Sequence, residues 1–461
     1  MRGAFYIKNL SFIRRGKMKK KLLSLVLVAA MGLSMLVGCT GPTEQPGPGT
    51  QNGGTQNGGE NTGDNFVVQQ EAIDNLVAAS QGKDIVIDLW CSEKTEYQTI
   101  MKTVADEFKA LYPTVNITIN IGVCSESEAK DKVLEDVEAA ADVFVYADDQ
   151  ITELVQAGAL QEVVMNYTYD IKASNNKLAL DAASVNGKLY GYPLMDSNGY
   201  FLYYNSEYFT AEDVQSWDKI CAAAEKAGKK VGMCVKNSWY TYGFFAGAGG
   251  TLTMNEDTSN YCDWNNATGV KVAEAMQTLF QKTAFISYDK EAQFVDAAKN
   301  GDVIAFVDGA WDSNAVKEAY GNGYAATKLP TFTCDGKQVQ MGSFKGYKFV
   351  GVNAYAPSDV KGWAMLFAEY ITNEASQSKI ALAVGEGPSN IVAAQSEAVK
   401  SNPALIALVE QNQYADLQRV GGKYWDPVNT LCGNLLEGTV TDFQTAMNEC
   451  VTGITQPVAA Q

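Results

Sequence analysis

Any chemistry in this chain is done without histidine, because none of its 461 residues is one. That removes Ser-His-Asp and Cys-His catalysis and the commonest zinc ligand. Nine cysteines remain. Cys39 stands apart from Cys91, Cys124, Cys221, Cys234, Cys262, Cys334, Cys432 and Cys450, whose spacings contain no C-x-x-C pair. A zinc ribbon or a thioredoxin-type site is therefore not expected, and neither a metal nor a cofactor is indicated. The spacing does not choose between disulfides and buried thiols. The chain is acidic, with formal charge −17, which argues against nucleic acid and against anionic lipid patches. Adjacent Asp148 and Asp149 with Glu93 could supply paired carboxylates for glycoside hydrolysis, but adjacency on a loop is a weak signal in so acidic a chain. The 23 Tyr, 18 Phe and 7 Trp exceed what a plain core requires. Flat aromatic surfaces beyond strand ends, flanked by acids and amides, are the better lead.

The N-terminal segment frames that lead. Lys17, Lys19, Lys20 and Lys21 precede an apolar run of 16 residues, Leu22 to Val37, then Gly38 and Cys39. A basic start, an apolar stretch and a small residue make a secretory signal. Sixteen residues are short for a spanning helix, which needs about 20. Met18 is the expected start, with 1–17 an upstream over-read. Leu36-Val37-Gly38-Cys39 resembles the lipobox of bacterial lipoproteins, and the resemblance implies cleavage before Cys39 and lipid on its thiol. Residues 39–65 read as a tether, since Gly41 to Asp64 is almost all Gly, Thr, Asn, Gln, Pro and Glu. Such a coil reaches about 25–30 Å.

Order begins after the tether. A short helix is expected within Phe66 to Ala79, and Ile85 to Trp90 reads as a buried strand. Thr95 and Gln98 form a capping-box pattern, followed by a helical repeat of Ile100, Met101, Val104, Phe108 and Leu111 that stops at Pro113. Val115 to Ile121 is a second strand. Ser125 and Glu128 suggest another capping box. Asp142 to Tyr146 is a third strand, and a helix near Asp149 to Gln156 ends at Gly158. This alternation predicts βαβ units and a mainly parallel sheet. Gly199 to Asn205 is a Tyr-rich strand, Ile304 to Val307 and Lys348 to Val352 are buried strands, and the chain is largely helical after Gly362. Trp90, Trp217 and Trp363 fall inside strand or helix patterns and are assigned to the core.

Four segments, in order, carry a family resemblance. They are Asp88-Leu89-Trp90 with Phe108 to Pro113, Asp142 to Tyr146 with Gln156 to Leu160, Asn186 to Pro193 with Tyr203-Tyr204-Asn205, and Gly309-Ala310-Trp311 with Lys328-Leu329-Pro330. Gly385 to Asn390 and Tyr424-Trp425 extend the agreement. The series resembles the extracellular sugar-binding proteins of ABC importers, especially maltose and maltodextrin binders. The resemblance implies a two-lobe α/β fold of the periplasmic-binding-protein type (type II), with a hinge and a helical C-terminal region. Lobe 1 would be 66–195 plus 345–390 and lobe 2 would be 200–340 plus 395–461. Crossings are expected near Asp196–Gly199, Gly342–Lys345 and Asn390. It also implies a monomeric receptor on the outer face of the bacterial cell membrane that passes a maltooligosaccharide to a permease.

Sugar rings offer C–H faces to aromatics and a hydroxyl rim to carboxylates and amides. Ligands of open α/β sheets lie beyond the carboxyl ends of strands. Combined with the resemblance, this singles out Ser92, Glu93 and Lys94 after the first strand, and Tyr146 with Asp149 after the third. The family has a Trp and an acid where Tyr146 and Asp149 stand, and often an Arg where this chain has Gln150. Asp196 follows the Tyr192-Pro193 turn, with Ser197 as the alternative match. Trp239 and Tyr240, Trp311 and Asp312, and Trp425 complete the set. Another solute in the same fold is the first alternative, and a glycoside hydrolase the last.

Overall fold

The computed structural model describes residues 66–457, so the signal segment, Cys39 and the tether lie outside the described residues. Strand–helix alternation opens the fold: α1 Gln70–Ala79, β1 Asp84–Cys91, α2 Thr95–Leu111, β2 Asn116–Val123, α3 Ala129–Glu135, β3 Val143–Ala147 and α4 Ile151–Gln156. In β1 the exposed and buried residues alternate, as one covered face requires. Gly158, with φ +68°, ends the turn after α4.

A 14-residue strand follows, β4 Tyr192–Asn205, then α5 Trp217–Ala227, β5 Lys230–Gly232, α6 Ser238–Gly247, α7 Ala267–Phe280, β6 Phe285–Ile286, α8 Glu291–Lys299, β7 Val303–Gly309, α9 Ser313–Tyr320 and β8 Tyr324–Thr327. The second long strand, β9 Ser343–Val352, returns. Beyond it come α10 Ser358–Ile371, α11 Glu374–Val384, α12 Pro403–Gln411, β10 Ala415–Leu417, α13 Trp425–Glu437 and α14 Phe443–Ile454.

Two hydrophobic cores form. One gathers residues between Ile73 and Met195 and between Tyr347 and Val384; we call its surroundings lobe 1. The other gathers Tyr200 to Phe344 and Ala404 to Ile454, and is lobe 2. Trp363 and Trp217 are fully buried, one in each core, while Trp90 is partly buried against the first. Ten strands form one sheet, in the order β6-β5-β7-β4-β9-β3-β1-β2, with β8 on β4 and β10 on β9.

The sheet is more mixed than expected. Pairs within a lobe such as β1/β2, β1/β3 and β5/β7 are parallel. Among the pairs made by the crossing strands, β4/β9, β3/β9, β4/β7 and β4/β8 are antiparallel, while the short β10 lies parallel to β9. The reason is that β4 leaves lobe 1 for lobe 2 and β9 comes back. Their pairing shifts register between Gly346 and Phe349, where Pro193 sits opposite Phe349. A proline, which cannot donate to the ladder, fits such an irregularity. The segment Gly387–Asn390 runs beside the crossing: Asp196 N donates to Gly387 O at 2.9 Å, and Gly387 N to Ser197 Oγ at 2.9 Å.

Neither expected capping box forms. Lys94, without a side-chain cap bond, precedes α2, and Gln98 spends its amide on the Ser92 carbonyl at 2.6 Å. Ser125 Oγ pairs with Ser127 Oγ at 2.9 Å, and Glu128 precedes α3. All eight cysteines from Cys91 to Cys450 are buried and unpaired. Burial pushes the Cys91, Cys221, Cys262 and Cys432 thiols up to about 12, so they are inert. No described helix is long and apolar enough to cross a membrane.

The crossing strand is pinned to lobe 2 by a close approach. Gly342 N donates to Gly243 O at 2.8 Å, and a Cβ on Gly243 would stand 2.3 Å from Gly342 O. Gly243→Ala is therefore expected to force α6 off the start of β9 and lower unfolding stability by about 1–3 kcal/mol. Urea denaturation measures this; an unchanged midpoint would refute the packing argument.

Candidate functional site

A cleft of about 730 Å³ lies between the two cores. Lobe 1 supplies the loops beyond β1, β2 and β3: Ser92, Glu93, Lys94, then Glu126, then Asp149 and Gln150. Lobe 2 faces them with Trp239 and Tyr240 at the start of α6, Glu291 at the start of α8, and Trp311 and Asp312 after β7. Gln418 and Trp425 close the lobe 2 wall, and Asn198 of β4 lies at the crossing. The carboxyl ends of the strands converge here, which is where open α/β sheets bind ligands. A smaller groove of about 330 Å³ on lobe 2 is rimmed by Asp218, Lys271, Glu274 and Lys282 and gathers no comparable set of aromatics.

Local structure explains the aromatic wall. Asn237 caps α6, its Oδ1 accepting from Trp239 N at 3.1 Å. Trp239 is then fixed by its Nε1, which donates to Gln418 Oε1 at 2.6 Å. Tyr200 packs edge-on against it, with ring centroids 4.6 Å apart. Gly309 ends β7, and a Cβ there would fall 2.1 Å from the Trp311 ring; the glycine lets that indole fold back toward Trp239, 5.7 Å away at 44°. Trp239, Trp311 and Trp425 each keep part of their surface exposed. The Tyr240 ring is buried, yet it lines the cleft and its hydroxyl has no partner.

The floor is charged. Lys348 on β9 is buried, with its Nζ 2.7 Å from Glu386 and 3.3 Å from Glu126. Burial alone would lower its ammonium, but the two carboxylates outweigh burial and hold it above the ordinary lysine range. Beneath Asp149, Arg419 Nη1 donates to Asp148 Oδ2 at 2.8 Å, while Tyr347 N donates to Asp148 Oδ1 at 2.9 Å. Among the described residues no group of His, Cys, Asp and Glu is arranged to hold a metal ion.

Nine of the residues singled out from sequence meet in this cleft: Ser92, Glu93, Lys94, Asp149, Trp239, Tyr240, Trp311, Asp312 and Trp425. Tyr146 does not. Strand β3 runs one residue further than expected, so Ala147 faces the cleft while Tyr146 is buried against Phe144 and Phe349, each 5.7 Å away. Asp196 does not either. It lines a separate pocket of about 180 Å³ at the hinge, with Asn176, Lys345 and Tyr347, and accepts from Asn176 Nδ2 at 2.7 Å. Its alternative, Ser197, is buried and bound to Gly387 N. Sequence reasoning missed Asn198, Glu126, Glu291, Lys348, Glu386 and Gln418. Lys348 carried a signal, as a lone charge opening an apolar strand, and Glu386 lay inside the Gly385 to Asn390 segment of the resemblance.

Asp149 links the site to pH. Its carboxyl is pushed up to about 7, by burial first and Asp148 second, against Arg419 and a Gln418 hydrogen bond. A folded value above the ordinary 3.8 means that the folded chain holds this proton more tightly than the unfolded one. That contribution is fully present below about pH 4 and lost as pH rises through about 7. Asp149→Asn is expected to melt above the parent near pH 8, by a margin that shrinks toward pH 4. A margin independent of pH across that window would remove Asp149 as a partly buried titrating group.

Comparison with known proteins agrees with this geometry. The family model of the bacterial extracellular solute-binding proteins matches residues 103–407. The maltooligosaccharide ABC transporter solute-binding lipoprotein of Streptococcus pneumoniae is 22% identical over 404 residues, covering 82% of this chain and 91% of its own. The ligand-free maltodextrin-binding protein of L. casei BL23 superposes with a TM-score of 0.69 at 25% identity, covering 81% of this chain and 99% of that one. The maltotriose-bound maltotriose-binding protein of Thermus thermophilus shares the fold, with a TM-score of 0.68 at 20% identity and 80% and 99% coverage. The family and these relatives are solute binders, not enzymes. With a two-lobe α/β fold of type II and a family match over most of its length, the chain is a member of the bacterial extracellular solute-binding proteins.

Proposed function

We propose that this protein is a membrane-tethered receptor that binds a maltooligosaccharide between its lobes and delivers it to an ABC permease. One observation carries the reading: three partly exposed tryptophans, Trp239, Trp311 and Trp425, face carboxylates and amides across a single cleft of about 730 Å³. Aromatic faces match the C–H faces of successive sugar rings. Carboxylates such as Glu93, Asp149 and Glu291 accept from hydroxyls, and Asn198 and Ser92 exchange hydrogen bonds with the rim. The names of the S. pneumoniae and T. thermophilus relatives support an α-glucan solute.

Lipid on Cys39 would hold the protein as a monomer at the outer face of the bacterial membrane, and the Gly41–Asp64 tether would let the lobes stand off it. The basic and apolar segments before Cys39 support export, and the S. pneumoniae relative is described as a lipoprotein. The S. pneumoniae protein's place in an ABC transporter supports a permease partner.

Calorimetric titration with maltotriose tests the reading. One-to-one heat with the sugar recovered unchanged is expected. Silence with maltotriose and heat with another glycan would move the solute and keep the transport role; silence across a broad glycan panel would overturn the sugar reading. Trp311→Ala is expected to weaken binding by about 1–3 kcal/mol, and an unchanged affinity would take Trp311 out of the site.

A further inference from the structure

Eight carboxyl groups and four ammoniums line the cleft, so its fully ionised lining is negative by four charges, whichever of them pair. Three of the ammoniums are spent on the protein itself. Lys94 Nζ donates to the Asp312 carboxylate at 2.8 Å. Lys130 lies 2.9 Å from Glu153, and Lys348 lies 2.7 Å from Glu386 and 3.3 Å from Glu126. The fourth, Lys290, is exposed immediately before α8. The guanidinium of Arg419 is spent on Asp148. The acids are not all matched in return. Glu93 on lobe 1 and Glu291 on lobe 2 line the cleft and form no ion pair with a described residue.

Helix starts do not offset this excess. Free N–H groups at a helix N-terminus can hold an anion, but at the start of α6 Ser238 N donates to Asn429 Oδ1 at 2.7 Å and Trp239 N to Asn237 Oδ1 at 3.1 Å. The enclosed polar atoms left without a partner at this cleft point the same way. Asp149 Oδ1 and the Tyr240 hydroxyl both line it and make no hydrogen bond. Carboxylate and hydroxyl oxygens accept from an ammonium. Tryptophan faces such as those of Trp239, Trp311 and Trp425 also attract a cation. A carboxylate entering here would leave water for a wall of like charge, whereas an ammonium would exchange water for acceptors and ring faces.

We infer that the cleft sorts oligosaccharides by charge: it admits neutral chains, favours one bearing a protonated amine and rejects one bearing a carboxylate. Glu93 and Glu291, one on each wall, are the specificity-determining acids. The inference rests on the interlobe sugar site of the proposed function and names the chemical class that the site prefers.

Calorimetry at neutral pH with four maltotrioses tests it. The exocyclic carbon of the middle ring carries the native alcohol, a primary amine, a carboxylate or a carboxamide. The amine is expected to bind roughly three- to tenfold tighter than the alcohol. The carboxylate is expected to bind roughly tenfold more weakly than the carboxamide, which has its shape without its charge. Raising salt to about 1 M draws both ratios toward one. Glu93→Gln combined with Glu291→Gln lowers the amine-to-alcohol ratio, read within the one variant so that any general loss of affinity cancels. Melting by circular dichroism checks that this variant folds. The inference is overturned if carboxylate and carboxamide bind alike, or if both ratios ignore salt and the double substitution. Silence with all four sugars would instead count against the maltooligosaccharide reading, and quenching of tryptophan fluorescence then decides the charge question without a solute. Caesium is expected to quench the parent more efficiently than iodide, each scaled to neutral acrylamide, and the double substitution narrows that gap. Equal quenching by the two ions, or a gap indifferent to the substitution, would also overturn the inference.

Discussion

The pairing of β4 with β9 is the constraint on which the rest depends. Each lobe has its own hydrophobic core, and the two strands pass from one core to the other between Met195 and Tyr200 on one and Phe344 and Tyr347 on the other. The register slips there, from Gly346 to Phe349, so the ladder is continuous yet locally weakened. Asp148 anchors the crossing from below: it accepts from Tyr347 N and from Arg419, and burial of the ion pair makes its geometry demanding. A sheet that runs through both lobes gives the cleft a continuous back and leaves its two walls free to be set by surface chemistry.

Those walls divide the labour. Lobe 2 carries the aromatic surface, built on the capped start of α6 and the glycine that ends β7. Lobe 1 carries most of the polar surface, on loops beyond three parallel strands. The buried Lys348 between Glu126 and Glu386 joins them, because its position on β9 puts a cation under Trp311. An ion group so enclosed adds little net stability; its value is that it fixes charge in one place. The eight buried thiols behave as small apolar side chains in both cores, so nothing in the described fold relies on an oxidising surround.

Legibility from sequence tracked the range of the interaction. The helical repeat through Met101, Val104 and Phe108, the stop near Pro113 and the turn at Gly158 were readable because each depends on neighbours a few residues away. Trp311 and Trp239 were readable as cleft residues because both follow strand ends and lie in segments that resemble the sugar binders. Tyr146 misled, since β3 runs on through Ala147 and is buried along its whole length, so Tyr146 is a core residue inside the strand and not the residue at its end. The two capping boxes misled because Gln98 and Ser125 found better partners in the surrounding loops. Asp196 misled because the crossing strand turned it to the hinge pocket.

The sequence by itself determined the alternation of strands and helices, an acidic histidine-free composition that closes off several catalytic designs, an N-terminal export pattern, and most of the aromatic set. Tertiary structure alone decided the direction of the crossing strands, the thiols' freedom from disulfides, and the company of Lys348 and Lys94. Glu126 lies 222 residues from Lys348, and Asp312 lies 218 from Lys94. Local propensity acts over a turn or a strand. Which charges meet across such separations is set by how two cores pack against one shared sheet, and no local pattern encodes that.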